Sequence, residues 1–127
     1  MKQIMIVDDE MAARTLIGIT LERDGFTVMR AKNASEALQL ISDKHPDLII
    51  LDVMMPGMSG IELCTIIRSR PEAAETPILM LSARSDMETI VRGMDAGATD
   101  YLPKPIYNHD LTAKVRTLLK LDITAQP

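Results

Sequence analysis

The sequence predicts an α/β fold in which a five-stranded parallel sheet is covered by helices on both faces. Three short apolar runs are continuous rather than alternating: IMIV at 4–7, LIIL at 48–51 and ILML at 78–81. Such runs are typical of strands that are buried on both sides. Helical segments lie between them, and this alternation predicts a parallel sheet. The 127 residues are sufficient for one domain of this kind.

Two weaker strands complete the predicted sheet. FTVMRA at 26–31 and DYL at 100–102 mix apolar and polar residues, so we expect them near the edges of the sheet. The resulting order is strand then helix, five times over. We assign residues 1–121 to the domain and residues 122–127 to a tail or the start of a linker to an output domain.

The helices are predicted from their ends as well as from their apolar stripes. The first, over residues 14–23, is followed by Gly25, which favours a helix end. In the next three, a Ser or Asn is followed three residues later by Glu, the pattern of a capping box: NASE at 33–36, SGIE at 59–62 and SDME at 85–88. The last helix has Leu111, Val115 and Leu118 on one face and extends to Lys120.

Composition excludes several classes of protein. The net charge of -4 argues against nucleic acid binding, which needs clustered Lys and Arg. A single cysteine, Cys64, cannot form an internal disulfide and fits a reducing compartment. The N-terminus does not resemble a signal peptide, and no apolar stretch approaches membrane-spanning length. We therefore expect a cytoplasmic protein. Arg68 and Arg70 are expected on a solvated helix face.

Polar residues follow the predicted strands where a site would form. Asp8 and Asp9 come directly after the first strand, Asp52 ends the third, Ser82 ends the fourth, and Lys104 follows the fifth. The carboxyl ends of parallel strands meet at one edge of the sheet, where ligands bind in folds of this type. We therefore expect these five side chains to lie close together.

The chemistry of this group indicates phosphoryl transfer. Three carboxylates in one place raise each other's pKa, and a hard divalent cation such as Mg²⁺ relieves that repulsion. Asp52 is then a candidate nucleophile, because carboxylates can form an aspartyl phosphate. Lys104 and Ser82 could neutralise or bond the oxygens of the transferring group.

These residues resemble the receiver domain of bacterial two-component response regulators. The resemblance covers residues 3–120 and is carried by DD at 8–9, DVMMPGMSG at 52–60, SAR at 82–84, GA at 97–98 and KP at 104–105. It implies a flavodoxin-like, doubly wound (βα)5 fold with strand order 2-1-3-4-5.

The resemblance also implies roles for the site residues. Asp52 would accept a phosphoryl group. Asp9 and Asp52 would bind Mg²⁺ (or Mn²⁺) directly, Asp8 would bind it through water, and the backbone carbonyl of Met54 would be a further ligand. Lys104 would pair with the phosphoryl group, and a cis peptide bond to Pro105 is usual in the family.

A second set of residues would transmit and time the signal. Ser82 and Tyr101 form the switch pair that the resemblance implies. Phosphorylation would shift a face made of the 85–96 helix, the strand at Asp100 and the 107–120 helix, through which a homodimer could form. Small Ala83 leaves access to the phosphoryl oxygens. Large side chains at Met54 and Arg84 should hinder attacking water, which predicts a long-lived phosphorylated state.

The implied partner is a sensor histidine kinase or a histidine phosphotransfer protein, docking on the helix over residues 11–23. The domain would catalyse only its own phosphorylation and dephosphorylation, so we do not expect an enzyme acting on other substrates. The sequence shows no output. The apolar end of the last helix favours excision from a longer regulator over a protein that stands alone.

Structural roles remain possible for single residues, and other functions remain possible for the protein as a whole. Asp8 and Asp9 could cap a helix, Lys104 could be a surface lysine and Tyr101 a half-buried edge aromatic. An aspartyl phosphohydrolase would need a second acid where Met54 stands. A flavin carrier would need a phosphate loop without acids, and more aromatics than 2%. An interaction module that takes no phosphate is the third alternative.

Overall fold

The computed structural model describes residues 2–83 and 86–121, in which strands and helices alternate. The elements are β1 (Gln3–Val7), α1 (Met11–Arg23), β2 (Thr27–Ala31), α2 (Ala34–Lys44), β3 (Leu48–Asp52), α3 (Gly60–Arg68), β4 (Ile78–Ser82), α4 (Met87–Asp95), β5 (Asp100–Pro103) and α5 (Asn108–Leu118). A short 3₁₀ helix, Pro71–Ala73, lies between α3 and β4.

The five strands form one parallel sheet in the order β2-β1-β3-β4-β5. This confirms the predicted fold class and strand order. The two weak strand patterns do lie at the edges, whereas every residue of β3 and β4 is buried. The edge strand β2 begins at Thr27, one residue later than predicted, because the N–H of Phe26 donates to the Leu21 carbonyl in the last turn of α1 (3.1 Å).

The core lies on both faces of the sheet. On one face, Ile6 and Ile50 pack with α1 and α5 residues, which include Leu21 and Val115. On the other, strand residues pack with α2 and α3 side chains, which include Ile41, Leu63 and Cys64. Burial of each such aliphatic side chain contributes about 1.5–3 kcal/mol, so the central strands are held rigidly from both sides.

The helix starts agree with the predicted capping boxes in one case of three. At α3, Ser59 Oγ accepts from the Glu62 N–H and the Glu62 carboxylate accepts from the Ser59 N–H, both at 3.2 Å. At α2, Asn33 caps Glu36 (2.9 Å), but the Glu36 carboxylate accepts from the N–H of Lys32 instead (3.0 Å).

The third predicted box was wrong. The residue that caps α4 is Asp86, whose carboxylate accepts hydrogen bonds from both the N–H (3.2 Å) and the hydroxyl (3.0 Å) of Thr89. A carboxylate with two donors on Thr89 is a stronger cap than the neighbouring hydroxyl predicted for this role. Ser85 itself, like Arg84, lies outside the described residues.

The end of α5 also differs from the prediction. The helix ends at Leu118, not at Lys120, which has a left-handed φ of 60°. The N–H of Leu121 donates to the Arg116 carbonyl (2.8 Å) and the N–H of Lys120 to that of Thr117 (3.0 Å). This is a Schellman motif, in which the carbonyls of the last turn are satisfied by the two residues after the helix. The predicted tail, 122–127, lies outside the described residues.

Within the described ranges, no helix combines the length and the apolar character that crossing a bilayer requires.

Candidate functional site

The three predicted acids meet at the carboxyl edge of the sheet. Asp8 directly follows β1, and Asp52 is the last residue of the adjacent strand β3. One carboxylate oxygen from each of Asp8, Asp9 and Asp52 lies within 4.8 Å of the other two. Asp8 and Asp52 are 2% and 3% exposed, whereas Asp9 is exposed. The parallel topology therefore brings the three predicted carboxylates together, and the carboxylates of Asp8 and Asp52 are buried.

Only one of the two carboxylate oxygens of Asp8 accepts a hydrogen bond from the described residues. Its Oδ1 accepts a hydrogen bond from the N–H of Glu10 (3.0 Å), but its buried Oδ2 has no partner among the described residues. Burial is the main reason that the pKa of Asp8 is raised, and the charges of Asp9 and Glu10 add to it. An oxygen in this state is available to an additional partner, such as a metal-bound water.

Asp52 pairs with Lys104 across the mouth of the site. The Lys104 Nζ lies 2.9 Å from Asp52 Oδ1. The two charged atoms are at hydrogen-bonding distance, and Oδ1 has no other partner among the described residues. Burial raises the pKa of Asp52, and the neighbouring ammonium offsets only part of that effect. Burial lowers the pKa of Lys104, but the Asp52, Asp8 and Glu10 charges outweigh it and the net shift is upward.

The backbone holds the other predicted residues near this pair. Ser82 ends β4 and is fully buried, and its carbonyl accepts from the N–H of Lys104 at 2.8 Å. The Lys104–Pro105 peptide bond is cis, as expected. Ala83 is exposed at the same edge, and Arg84 lies outside the described residues.

Tyr101 lies further from the acids, on β5. It is half-buried and lines a small cavity with Met80 and the α4 residues Ile90 and Met94. Burial and then the charge of Asp86 raise the pKa of its phenol. Its position between the edge strand and α4 is compatible with both the switch role and the structural role that the sequence left open.

The turn after β3 depends on two glycines near Asp52. Gly60 packs directly on the strand: its N–H donates to the Val53 carbonyl at 2.9 Å, and a Cβ there would collide with the carbonyl of Asp52. Gly57 has a φ of 80°, which glycine adopts without strain. The chain between them turns away from the sheet, and the Met54 side chain is 59% exposed beside the site.

The donor set fits a hard divalent cation. The clustered candidate ligands are the carboxylate oxygens of Asp8, Asp9 and Asp52, and Mg²⁺ binds oxygen with few protein ligands. The backbone carbonyl of Met54 is a further oxygen ligand that the resemblance implies. The unpartnered Oδ2 of Asp8 and the clustered charges are features that a bound cation would satisfy.

Two residues near the acids were given no role in the site by the sequence analysis. Glu10 adds a negative charge that acts on Asp8 and Lys104. Arg14 reaches back from α1, and its Nη1 donates to the carbonyl of Asp8 at 2.8 Å. The signal for Arg14 was its position one helical turn beyond the acids, which directs a long side chain toward the loop.

With this geometry established, comparison with known proteins gives a consistent result. A family model described as the response regulator receiver domain matches residues 4–116. Response regulator MprA of Mycobacterium sp. (strain KMS) is 43% identical over 118 residues, which cover 93% of this chain and 50% of that protein. The phosphate regulon transcriptional regulatory protein PhoB of Rhizobium meliloti is also 43% identical, over 93% of this chain and 52% of its own length.

A solved structure agrees over nearly the whole of both chains. Chemotaxis protein CheY4 of Vibrio cholerae is 33% identical and has a TM-score of 0.90, covering 93% of this chain and 98% of its own. The chain spans about half the length of the curated relatives that it matches. On its matched family model, its sequence identity and its fold, the chain belongs to the response regulator receiver domain family of two-component systems.

Proposed function

We propose that Asp52 accepts a phosphoryl group from the phosphohistidine of a sensor kinase or a histidine phosphotransfer protein, in a reaction that requires Mg²⁺ or Mn²⁺. The observation that carries the proposal is the geometry at the carboxyl edge. A buried carboxylate lies 2.9 Å from a lysine ammonium and within 4.8 Å of two other acids. Such an arrangement is costly for folding alone, and it is expected where charge must be neutralised during a reaction.

Four groups of the chain would hold the cation. These are the carboxylates of Asp9 and Asp52, the backbone carbonyl of Met54, and Asp8 acting through a water molecule. When bound, the cation would supply positive charge that offsets both the acids and the oxygens of the incoming phosphoryl group.

The side chains would divide the transfer between them. A carboxylate oxygen of Asp52 attacks phosphorus as the P–N bond to the donor imidazole breaks, and the electron pair leaves with the imidazole. Lys104 exchanges its ion pair with Asp52 for one with the phosphoryl oxygens, and the hydroxyl of Ser82 donates a hydrogen bond to them. Small Ala83 leaves this face open, while Met54 and Arg84 hinder water and extend the lifetime of the acyl phosphate.

The phosphorylated state would be read on the face formed by α4, β5 and α5. As Ser82 moves toward the phosphoryl group, Tyr101 rotates inward, and the population of the active conformation rises. The exposed apolar side chains Met87, Val91 and Met94 on α4 support a protein contact there, including a phosphorylation-dependent homodimer. The partner kinase would dock on α1, which exposes Met11 and Leu16.

The broader assignments follow from the same proposal. The domain occupies residues 1–121, works in the cytoplasm and catalyses only its own phosphorylation and dephosphorylation. It does not itself bind nucleic acid. Its output is a second domain or a separate partner.

The test is the intact mass of the protein after incubation with acetyl phosphate and Mg²⁺, beside an Asp52→Asn control. One added phosphoryl group, lost in the control and without the cation, is the expected result. Absence of any addition under all conditions would contradict the proposal and favour an interaction module that takes no phosphate.

A further inference from the structure

The guanidinium of Arg14 binds the one backbone group that links two of the acids. Its Nη1 donates to the carbonyl oxygen of Asp8 at 2.8 Å. That carbonyl belongs to the peptide unit between Asp8 and Asp9, and a peptide unit is planar. A hydrogen bond to its oxygen therefore fixes the orientation of the whole unit, including the bond from which Asp9 begins.

The neighbouring contacts hold Asp8 but not Asp9. The N–H of Asp8 donates to the Ala31 carbonyl at 3.1 Å, and Asp8 Oδ1 accepts from the N–H of Glu10 at 3.0 Å. Across the described part of the chain, the exposed carboxylate of Asp9 makes no hydrogen bond or ion pair. The direction of this side chain is thus set by its backbone, and Arg14 is the side chain that fixes that backbone.

Arg14 is itself well placed for this function. It lies in the second turn of α1, and its own N–H donates to the Glu10 carbonyl at 3.1 Å, the first hydrogen bond of the helix. The helix has no side-chain cap at Glu10. The link between Arg14 and Asp8 therefore ties the start of α1 to the end of β1 around the acid cluster.

We infer that Arg14 is a positioning residue for the cation site: it holds the Asp8–Asp9 peptide in the orientation that directs the Asp9 carboxylate toward Asp8 and Asp52. The inference rests on the proposed function, because it concerns the cation that the acids would bind. It assigns Arg14 no contact with the cation or with phosphate.

The charge of Arg14 and its proposed role in orienting Asp9 predict opposite effects on the affinity for a divalent cation. Arg14 is a cation near a cation site, so through its charge alone, its replacement by a neutral residue would tighten divalent binding. If Arg14 orients a ligand, the same replacement loosens binding, as the loss of outer-shell partners does at metal sites. The sign of the change therefore separates the two roles.

The experiment measures Mn²⁺ affinity from the electron paramagnetic resonance signal of free Mn²⁺, for the wild-type chain, Arg14→Gln, Arg14→Lys and Arg23→Gln. Arg23 is the matched control, since it is exposed at the last position of the same helix and its replacement removes the same charge. We expect Arg14→Gln to weaken binding about tenfold. Arg14→Lys, which keeps one donor, should fall between it and wild type, and Arg23→Gln should stay close to wild type.

Each other outcome is decisive. Mn²⁺ affinity in Arg14→Gln equal to or tighter than in Arg23→Gln would overturn the inference and leave the proposed function intact. Failure of the wild-type chain to bind Mn²⁺ would instead overturn the proposed cation site, and the inference with it. Circular dichroism checks folding at the temperature of measurement. If Arg14→Gln is unfolded, the Mn²⁺ affinities of Arg14→Lys and Arg23→Lys are compared instead. Weaker binding in Arg14→Lys supports the inference, and equal or tighter binding overturns it.

Discussion

Two clusters of partly buried charge lie at opposite edges of the sheet, and they are built differently. At the amino edge, the guanidinium of Arg68 donates to the carbonyls of Gly97 (2.8 Å), Ala73 (2.9 Å) and Thr76 (2.6 Å), and to Thr99 Oγ1 (3.3 Å). At the carboxyl edge, a buried oxygen of Asp8 has no hydrogen bond from the described residues, and the buried oxygen of Asp52 faces only the Lys104 ammonium, at 2.9 Å. One cluster is complete within the chain, and the other is not.

The difference separates a structural charge from a functional one. Arg68 joins the end of α3 to the loops before β4 and β5, and it satisfies carbonyls that lie outside any helix or sheet ladder. The acids are buried at a cost in free energy, and the single ammonium of Lys104 offsets only part of the charge of three clustered carboxylates. Partner satisfaction, rather than burial alone, is therefore what distinguishes a candidate site from part of the scaffold.

The largest expected effect is the loss of the complete cluster. Arg68→Met removes the side-chain donor to the carbonyls of Gly97 and Thr76 and should lower the free energy of unfolding by about 3 kcal/mol, measured by urea denaturation. The control is Arg70→Met, since the Arg70 guanidinium lies near the surface, 3.7 Å from Glu72 and 3.2 Å from the Ser42 hydroxyl, and its loss should cost under about 1 kcal/mol. Equal losses of unfolding free energy in the two variants would show that the Arg68 hydrogen bonds have no special structural role.

Removal of a charge from the acid cluster should stabilise the fold, whereas removal of Arg68 destabilises it. Asp8→Asn removes one buried charge and keeps an oxygen for the N–H of Glu10, so it should raise the free energy of unfolding without divalent cation by about 1–2 kcal/mol at neutral pH. Added Mg²⁺ should raise the melting temperature of the wild-type chain and leave that of the variant nearly unchanged. Asp43→Asn, on the exposed surface of α2, is the control. A variant that is less stable than wild type under these conditions would contradict the interpretation.

A smaller effect is expected from a single partner of Arg68. Thr99 Oγ1 accepts from Arg68 and also from the N–H of Ile78, at 2.9 Å, so it completes both the cluster and the start of β4. Thr99→Val keeps the shape and should cost about 1 kcal/mol in chemical denaturation. Thr99→Ser keeps the hydroxyl and should recover most of that loss. If the valine and serine variants are equally destabilised, the hydroxyl contributes nothing and the methyl group accounts for the effect.

The smallest effect is a pH dependence that belongs to the acids alone. The pKa values of Asp8 and Asp52 are raised in the folded state, mainly by burial, so the folded chain binds these protons more tightly than the unfolded chain. Their destabilising contribution is complete above the raised pKa and disappears as pH falls toward the ordinary value of 3.8. The stability advantage of Asp8→Asn over wild type should therefore shrink on acidification. If the stability advantage of Asp8→Asn instead grew as pH fell, the pKa of Asp8 would not be raised in the folded state.

The sequence predicted the incomplete cluster far better than the complete one. Asp8 and Asp52 directly follow unbroken apolar runs, and the carboxyl ends of parallel strands are adjacent, so their meeting follows from the strand order. Arg68 was expected on a solvated helix face, and this was wrong. Its acceptors are mostly backbone carbonyls, one of them 29 residues away, and backbone carbonyls have no signature in residue type.

Helix ends were predicted less well for a related reason. Ser85 and Asp86 are adjacent residues that both can cap a helix, and only the fold determines which of them is in the right place. At the end of α5, Lys120 adopts a conformation that favours glycine, and no glycine was present to signal it. Residue type alone therefore placed the elements correctly and their boundaries only approximately.

The left-handed residue at the end of α5 has a mechanical consequence. A continuous helix transmits rotation about its axis, because each turn is hydrogen-bonded to the next. Here the hydrogen bonds turn back at Lys120 and Leu121, and Leu121 packs against the core beside α1 and α5. The hydrogen bonds of α5 therefore close back on its last turn, and the last described residue is held by the core of the domain.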